Sequence, residues 1–357
     1  MSWALAFREL GWDVWIAEHV VDAELEPAAA PGLASPQEEF WRATVREFGF
    51  EGRECLLVNG GSPQFEAFCE FASGADLFLN YSGQFKRLDL LGSKTRKAYL
   101  DVDPAFTQLW VEVCNSDMNF EGHDVFLTVG TTLNNPTALI PKVGREWIPT
   151  LPPVVADYWC GRLGAVPAVS PDAAWTTIAH WYGYPELRWQ DRRYAGKRES
   201  LLQLKDLPRL IKNSCAIATD LKSDWDDHDL FVAAGWKFFS AEEICHDVPT
   251  YLKFIAASRG EIGIAKEGYV ISRGGWMSDR SVMYLALGRP VLLHDTGWPQ
   301  AVAPAPGLLP FTGPEDCAAA MASMESDYER HCTGARALAR TIHAPKNVLT
   351  PILGKIL

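Results

Sequence analysis

The sequence has no closely spaced cysteines. Its eight cysteines are scattered, the nearest two being Cys55 and Cys69, and no C-x-x-C pair exists. The neighbours Cys245-His246 and His331-Cys332 are isolated pairs. Zinc sites and disulfide frameworks need clustered ligands or regularly spaced half-cystines, so neither is expected. Scattered thiols fit a reducing compartment, and a cytoplasmic location is expected. No apolar run is long enough to span a bilayer, and no signal peptide is expected. Repeats and low-complexity tracts are missing too. Basic residues are in deficit: 33 Lys and Arg stand against 45 Asp and Glu, a net charge of −12. Such a chain suits no nucleic-acid polymer, though a local basic cleft can still hold one diphosphate.

What is abundant is apolar bulk. With 48% hydrophobic residues, 14 Trp and 17 Phe in 357 residues, the chain can bury two cores, each in a domain of roughly 150–200 residues. Three apolar runs share one form. Residues 76–81, 97–102 and 124–129 end in Ser82-Gly83, Asp103-Pro104 and Gly130-Thr131. Parallel strands feeding loops into one crevice have this pattern, which makes the fold class α/β. Further strands are expected over 13–17, 55–58, 175–180, 236–239, 269–271 and 291–293. Helices are expected over 3–10, 38–48 and 249–257, with one or two more in 314–340. Residues 24–38 read as a loop, and the proline-rich 141–173 as the approach to the interdomain connection.

Residues 261–300 are the most informative stretch. Tyr269–Ile271 is β-branched and apolar and is expected as a buried strand. In Arg273-Gly274-Gly275 the paired glycines let the backbone approach a ligand. Ser278 or Asp279 caps a helix that Gly288 ends and Pro290 forbids to continue. Val291–Leu293 then leaves Asp295-Thr296-Gly297 at a strand's carboxyl end, where open α/β sheets bind ligands. A helix N-terminus with Arg273 and Arg280 suits an anion. The expected diphosphate site is therefore Arg273, Gly274, Gly275, Ser278, Asp279, Arg280, Ser281, Asp295, Thr296 and Gly297. The alternative is an ordinary βαβ unit with solvated arginines.

Gly288-Arg289-Pro290-Val291, Asp295-Thr296-Gly297 and Gly307-Leu308-Leu309-Pro310-Phe311 resemble the donor-domain sequence of bacterial-type GT-B glycosyltransferases. Gly275-Trp276-Met277-Ser278 is similar to the Gly-Trp-Asn-Ser run of the inverting, plant-type branch. The resemblance covers roughly residues 170–357. It implies two Rossmann-like domains with parallel sheets facing a central cleft: an acceptor domain over 1–165 and a nucleotide-sugar donor domain over 166–340. A final helix, 341–357, would return to the first domain. It further implies that Arg193 and Lys197 match the family's diphosphate-gripping pair, and that 240–247 lies where the base is held. The Glu-x7-Glu pair of the retaining branch is missing, its places falling on Gly275 and Met283. Its roles pass to Asp279 and Asp295 or are absent.

The function implied is transfer of a sugar from a nucleotide-diphosphate-sugar to an unidentified acceptor. The nucleotide-sugar is a co-substrate, and no cofactor is expected. Arg193, Lys197, Arg273 and Arg280 would stabilise the leaving diphosphate. Asp103 is the leading candidate for a base, with capping before Pro104 as its structural alternative. Glu18, His19, Ser82, Gly83, Gly130 and Thr131 are expected on the acceptor side. Asp101-Val102-Asp103 resembles the metal site of GT-A enzymes. The pattern is short, its two acids share a strand face, and no required metal is expected. A sugar-nucleotide epimerase and a catalytically silent nucleotide-sugar-binding subunit are the competing readings. The chain opens in a helix without the strand and glycine loop that usually precede it. Either the start lies upstream of Met1 or the first domain has lost its first strand, with self-association expected.

Overall fold

The computed structural model describes residues 1–20, 34–58, 61–222 and 225–357. Most of the expected 24–38 loop lies outside them. The first half runs α1 (Ser2–Glu9), β1 (Ile16–Val20), α2 (Pro36–Phe48), β2 (Glu54–Val58), α3 (Phe65–Gly74) and β3 (Leu77–Tyr81). It continues with β4 (Arg96–Asp101), α4 (Phe106–Cys114), β5 (Val125–Thr128), β6 (Trp147–Pro149) and α5 (Ala156–Arg162). The second half opens with β7 (Trp175–Ala179), the hairpin β8 (Leu187–Trp189) and β9 (Arg192–Tyr194), and α6 (Lys197–Gln203). Then come β10 (Cys215–Thr219), α7 (Asp226–Ala234), β11 (Trp236–Ser240), α8 (Ala241–Ile244) and α9 (Val248–Ala257). β12 (Gly260–Gly263), α10 (Glu267–Ser272), α11 (Asp279–Ala286), β13 (Val291–His294) and β14 (Leu308–Phe311) follow. The chain closes with α12 (Pro314–Ser326), α13 (Tyr328–Thr341) and α14 (Pro345–Ile356).

Each half has its own parallel sheet. β3-β4-β5-β6 is one, and β11-β10-β7-β12-β13-β14 is the other. The inner strands β5, β7, β10, β12 and β13 are buried along their whole length. Helices on both faces of a parallel sheet produce that pattern. β1 and β2 form a separate parallel pair. Among the described residues β1 bonds only to β2 and β3 only to β4, and both strands stay partly accessible.

Two local readings change. Tyr269–Ile271 is helical, within α10, and the strand before it is β12. β12 holds Gly260 and Gly263, which weaken a strand pattern. They are needed because a Cβ on Gly260 would meet Pro290 O at 2.6 Å and one on Gly263 would meet Leu293 Cδ1 at 2.8 Å. β1 starts three residues later than expected, so Glu18 and His19 lie inside it rather than beyond it.

The halves share apolar contacts. Leu5, Val45, Phe48 and Phe50 of the first cluster with Val282, Leu285 and Ala286 of α11. Val348, Leu349, Ile352 and Ile356 of α14 pack with Ala6, Phe7, Leu100 and Leu127. Each such side chain contributes about 1.5–3 kcal/mol on full burial, so α14 is a firm tie to the first half.

Candidate functional site

Counted within the second half, the large sheet has the strand order 3-2-1-4-5-6, whose direction reverses between β7 and β12. In open α/β sheets the crevice outside the carboxyl ends of the two strands at such a reversal is where ligands bind. Lys197 starts α6 after β7, and Lys266 ends the loop after β12. Glu267 N donates to Gly196 O at 3.1 Å and Gly268 N to Ala195 O at 2.9 Å, which holds the two segments together.

The cations of this region have different partners. Arg193 donates to Glu267 at 2.7 Å and faces Glu186 at 3.6 Å. It lines a cavity of about 300 Å³ with Leu139, Arg192, Glu267 and Ile271. Arg273, in the left-handed region at φ 56°, pairs with Asp295 at 3.1 Å. Arg280 donates from Nε to Glu261 Oε1 at 2.8 Å, and its Nη2 is buried without a partner. Lys266 donates to Asp103 Oδ1 at 2.7 Å. Lys197 alone of these has no hydrogen-bond or ion-pair partner among the described residues. Burial, then the charges of Arg280 and Lys266, push its ammonium pKa well below the usual lysine range.

The Arg273–Ser281 turn is built as the local rules dictate. Ser278 caps α11 by accepting from Arg280 N at 3.2 Å, and Gly288 ends the helix region at φ 68°. Gly275 N donates to Thr296 O at 2.8 Å, and Asp295 Oδ1 accepts from Gly297 N at 2.7 Å. The expected ligand approach at the glycines is a domain contact instead. Thr132 N donates to Gly274 O at 3.1 Å, and Thr131 Oγ1 to Gly275 O at 2.8 Å. A Cβ on Gly275 would lie 2.6 Å from Thr132 N, so the hydrogen is required by the first half's loop. Gly130 forms an isolated bridge with Trp276 at the same seam. Asp279 is exposed, whereas Ser281 is fully buried and faces away from solvent.

The two acids of Asp101-Val102-Asp103 do not share a site. Asp101 is fully buried and accepts from Thr107 at 2.7 Å, Thr128 at 2.9 Å, Gln108 at 3.0 Å and Asp103 N at 3.0 Å. Three of those bonds shape the β4–α4 turn, and the one from Thr128 ties it to β5. Asp103 crosses to the second half, where Lys266, Tyr184 and Tyr269 all donate to it. Phe106 packs edge-on against both tyrosines, at 4.9 and 5.5 Å. Among the described residues no group of three His, Cys, Asp or Glu could hold a metal ion.

On the remaining first-half positions, Ser82 and Gly83 form a turn at φ 51° and 68°. Gly83 backs onto Met118 O and Tyr99, and the ring of His19 meets Phe85 edge-on at 6.1 Å. Sequence reading missed Lys266, Tyr184, Tyr269 and Glu261. Lys266 was findable in principle, since it directly follows the apolar Ile264-Ala265, but the glycines of β12 conceal the strand that places it. No described helix is long and apolar enough to cross a membrane.

No protein-family model matches the sequence, and no curated protein matches it. Solved structures do. The chain is similar to Anabaena HepE in complex with UDP-glucose, with a TM-score of 0.53 and 11% identity over 95% of this chain and 98% of that one. It is also similar to a sucrose-phosphate synthase from Thermosynechococcus elongatus, with a TM-score of 0.50 and 13% identity over 99% and 90%. At such low identity the likeness speaks for architecture, and it agrees with the sheet order. The chain has the GT-B fold of glycosyltransferases.

Proposed function

We propose that this protein is a glycosyltransferase that takes its sugar from a nucleoside-diphosphate sugar. The observation that carries the reading is the unpaired ammonium of Lys197 in the β7–β12 crevice. Arg280 and Lys266 stand near enough to depress its pKa. A half-buried surplus of positive charge is costly unless an anion completes it. The GT-B fold supports the same reading, as does the UDP or UDP-glucose bound to the similar HepE structures.

In the proposed reaction an acceptor hydroxyl oxygen bonds to the anomeric carbon as the bond from that carbon to the diphosphate breaks. The electron pair leaves on the diphosphate, where Lys197, Arg280 and the N-terminus of α11 lower its energy. The hydroxyl proton passes to a carboxylate on the first-half side, for which Asp103 is proposed. Positive side chains supply the charge that a metal would supply elsewhere, so the reaction is proposed to be metal-independent. A cytoplasmic site of action is proposed from the scattered free thiols.

The test is thermal unfolding and calorimetry with UDP, GDP and their glucose conjugates. A ligand that binds the native state raises the midpoint by mass action. A flat midpoint and no binding heat with any of them would sink the reading.

A further inference from the structure

Lys197 and Lys266 reach one crevice from backbone segments that are bonded to each other. Only Lys266 has an anionic partner, and that partner belongs to the other half of the molecule. Asp103 accepts from Lys266 at 2.7 Å, from Tyr184 at 2.7 Å and from Tyr269. Lys266 also donates to Tyr269 Oη at 3.0 Å, and its ammonium lies 3.4 Å from the centre of the Tyr184 ring. An ammonium has three hydrogens, so one remains unassigned among the described residues.

Charge decides what a ligand would do here. A diphosphate carries more negative charge than one lysine neutralises. Arg280 lends only part of its charge, because the fully buried Glu261 stays paired with it, whereas the Asp103 that pairs with Lys266 is partly exposed. Lys266 is the cation on the neighbouring bonded segment, with its ammonium over the Tyr184 ring on a flexible stem. We propose that Lys266 is a second diphosphate ligand which Asp103 holds in the empty protein, so that nucleoside diphosphate and Asp103 compete for it. The inference rests on the donor site proposed above. Its consequence is an order of events. Donor binding removes the ammonium from Asp103 and leaves a carboxylate held by two phenols, loosening the tie between the halves before the acceptor is engaged.

The experiment is UDP titration by calorimetry at one salt concentration, on the full chain and its variants. Lys266→Met is expected to weaken UDP by about tenfold or more, the loss of one charged hydrogen bond. Asp103→Asn removes the competitor and is expected to bind UDP several-fold tighter. The double variant should be no tighter than Lys266→Met. A tie that merely joins the halves would leave Asp103→Asn unchanged or weaker, and that result overturns the proposal. Lys266→Arg, which keeps the charge, is expected to stay within a few-fold of the natural chain and serves if Lys266→Met does not fold. Loss of UDP binding in Lys197→Ala with none in Lys266→Met rejects this inference but keeps the donor site. No UDP binding by the natural chain rejects both.

Discussion

Arg280 Nε lies 2.8 Å from Oε1 of Glu261, and the glutamate side chain has 0% exposure. Burial alone would depress the guanidinium pKa, but Glu261, with Tyr251 and Tyr284 beside it, more than offsets that, so the arginine stays charged. Removing one member of a buried ion pair leaves the other uncompensated and costs about 3–5 kcal/mol. Glu261→Ala should lose that much in urea unfolding with an unchanged slope. A loss below about 1 kcal/mol would mean that water reaches Arg280.

Lys197→Ala should weaken UDP binding by about 1.5–3 kcal/mol, whereas Arg193→Ala, already satisfied by Glu267, should leave it unchanged. The pH dependence has a definite sign. Lys197 binds an anion only when protonated, and its pKa is depressed by burial. Affinity should therefore fall as pH rises, starting well below the lysine reference of about 10.4. Lys197→Arg should flatten that fall. Equal profiles for the two proteins in calorimetry would assign the dependence elsewhere.

The seam between the halves can be tested at Gly275. At φ 78°, with Thr132 N 2.6 Å from the position of an added Cβ, it has room for neither the strain nor the methyl group. Gly11, at φ 83° with nothing within 4 Å, carries the strain alone. Gly11→Ala should cost about 1–2 kcal/mol, and Gly275→Ala clearly more, read as the fall in thermal midpoint. Equal losses would show that the Thr131–Thr132 loop yields freely.

Two histidines predict an acid limb. Burial lowers His294 and His343 to about 4 from the usual 6.5. The unfolded chain takes up protons below pH 6.5 that the folded chain does not, so stability falls as pH drops from 6.5 towards 4. His343→Gln should shift the natural chain's urea midpoint less between those limits. An identical slope in both proteins would remove His343 from the account.

Much of the second half was legible in the sequence because its rules are local. The Ser278 cap, the Gly288 exit and the Val291 strand each depend on residues within one or two turns, and all three occur. β12 was not legible. Gly260 is glycine because Trp175 and Pro290 pack on it, and neither is a sequence neighbour.

The amino-acid sequence by itself determined the parallel α/β architecture, since apolar runs ending in turns can be buried on both faces only beneath covering helices. It also placed Arg193 and Lys197 after the strand that opens the second half. Which cations are free was decided by the tertiary structure alone. Glu267 claims Arg193, Glu261 claims Arg280 and Asp103 claims Lys266. Ion pairing depends on distance and burial, and in these pairs the partners lie 19 to 163 positions apart in the chain. Only the closed sheets and the apposed halves bring them within 3 Å, and only there is Lys197 left without an ion-pair contact among the described residues.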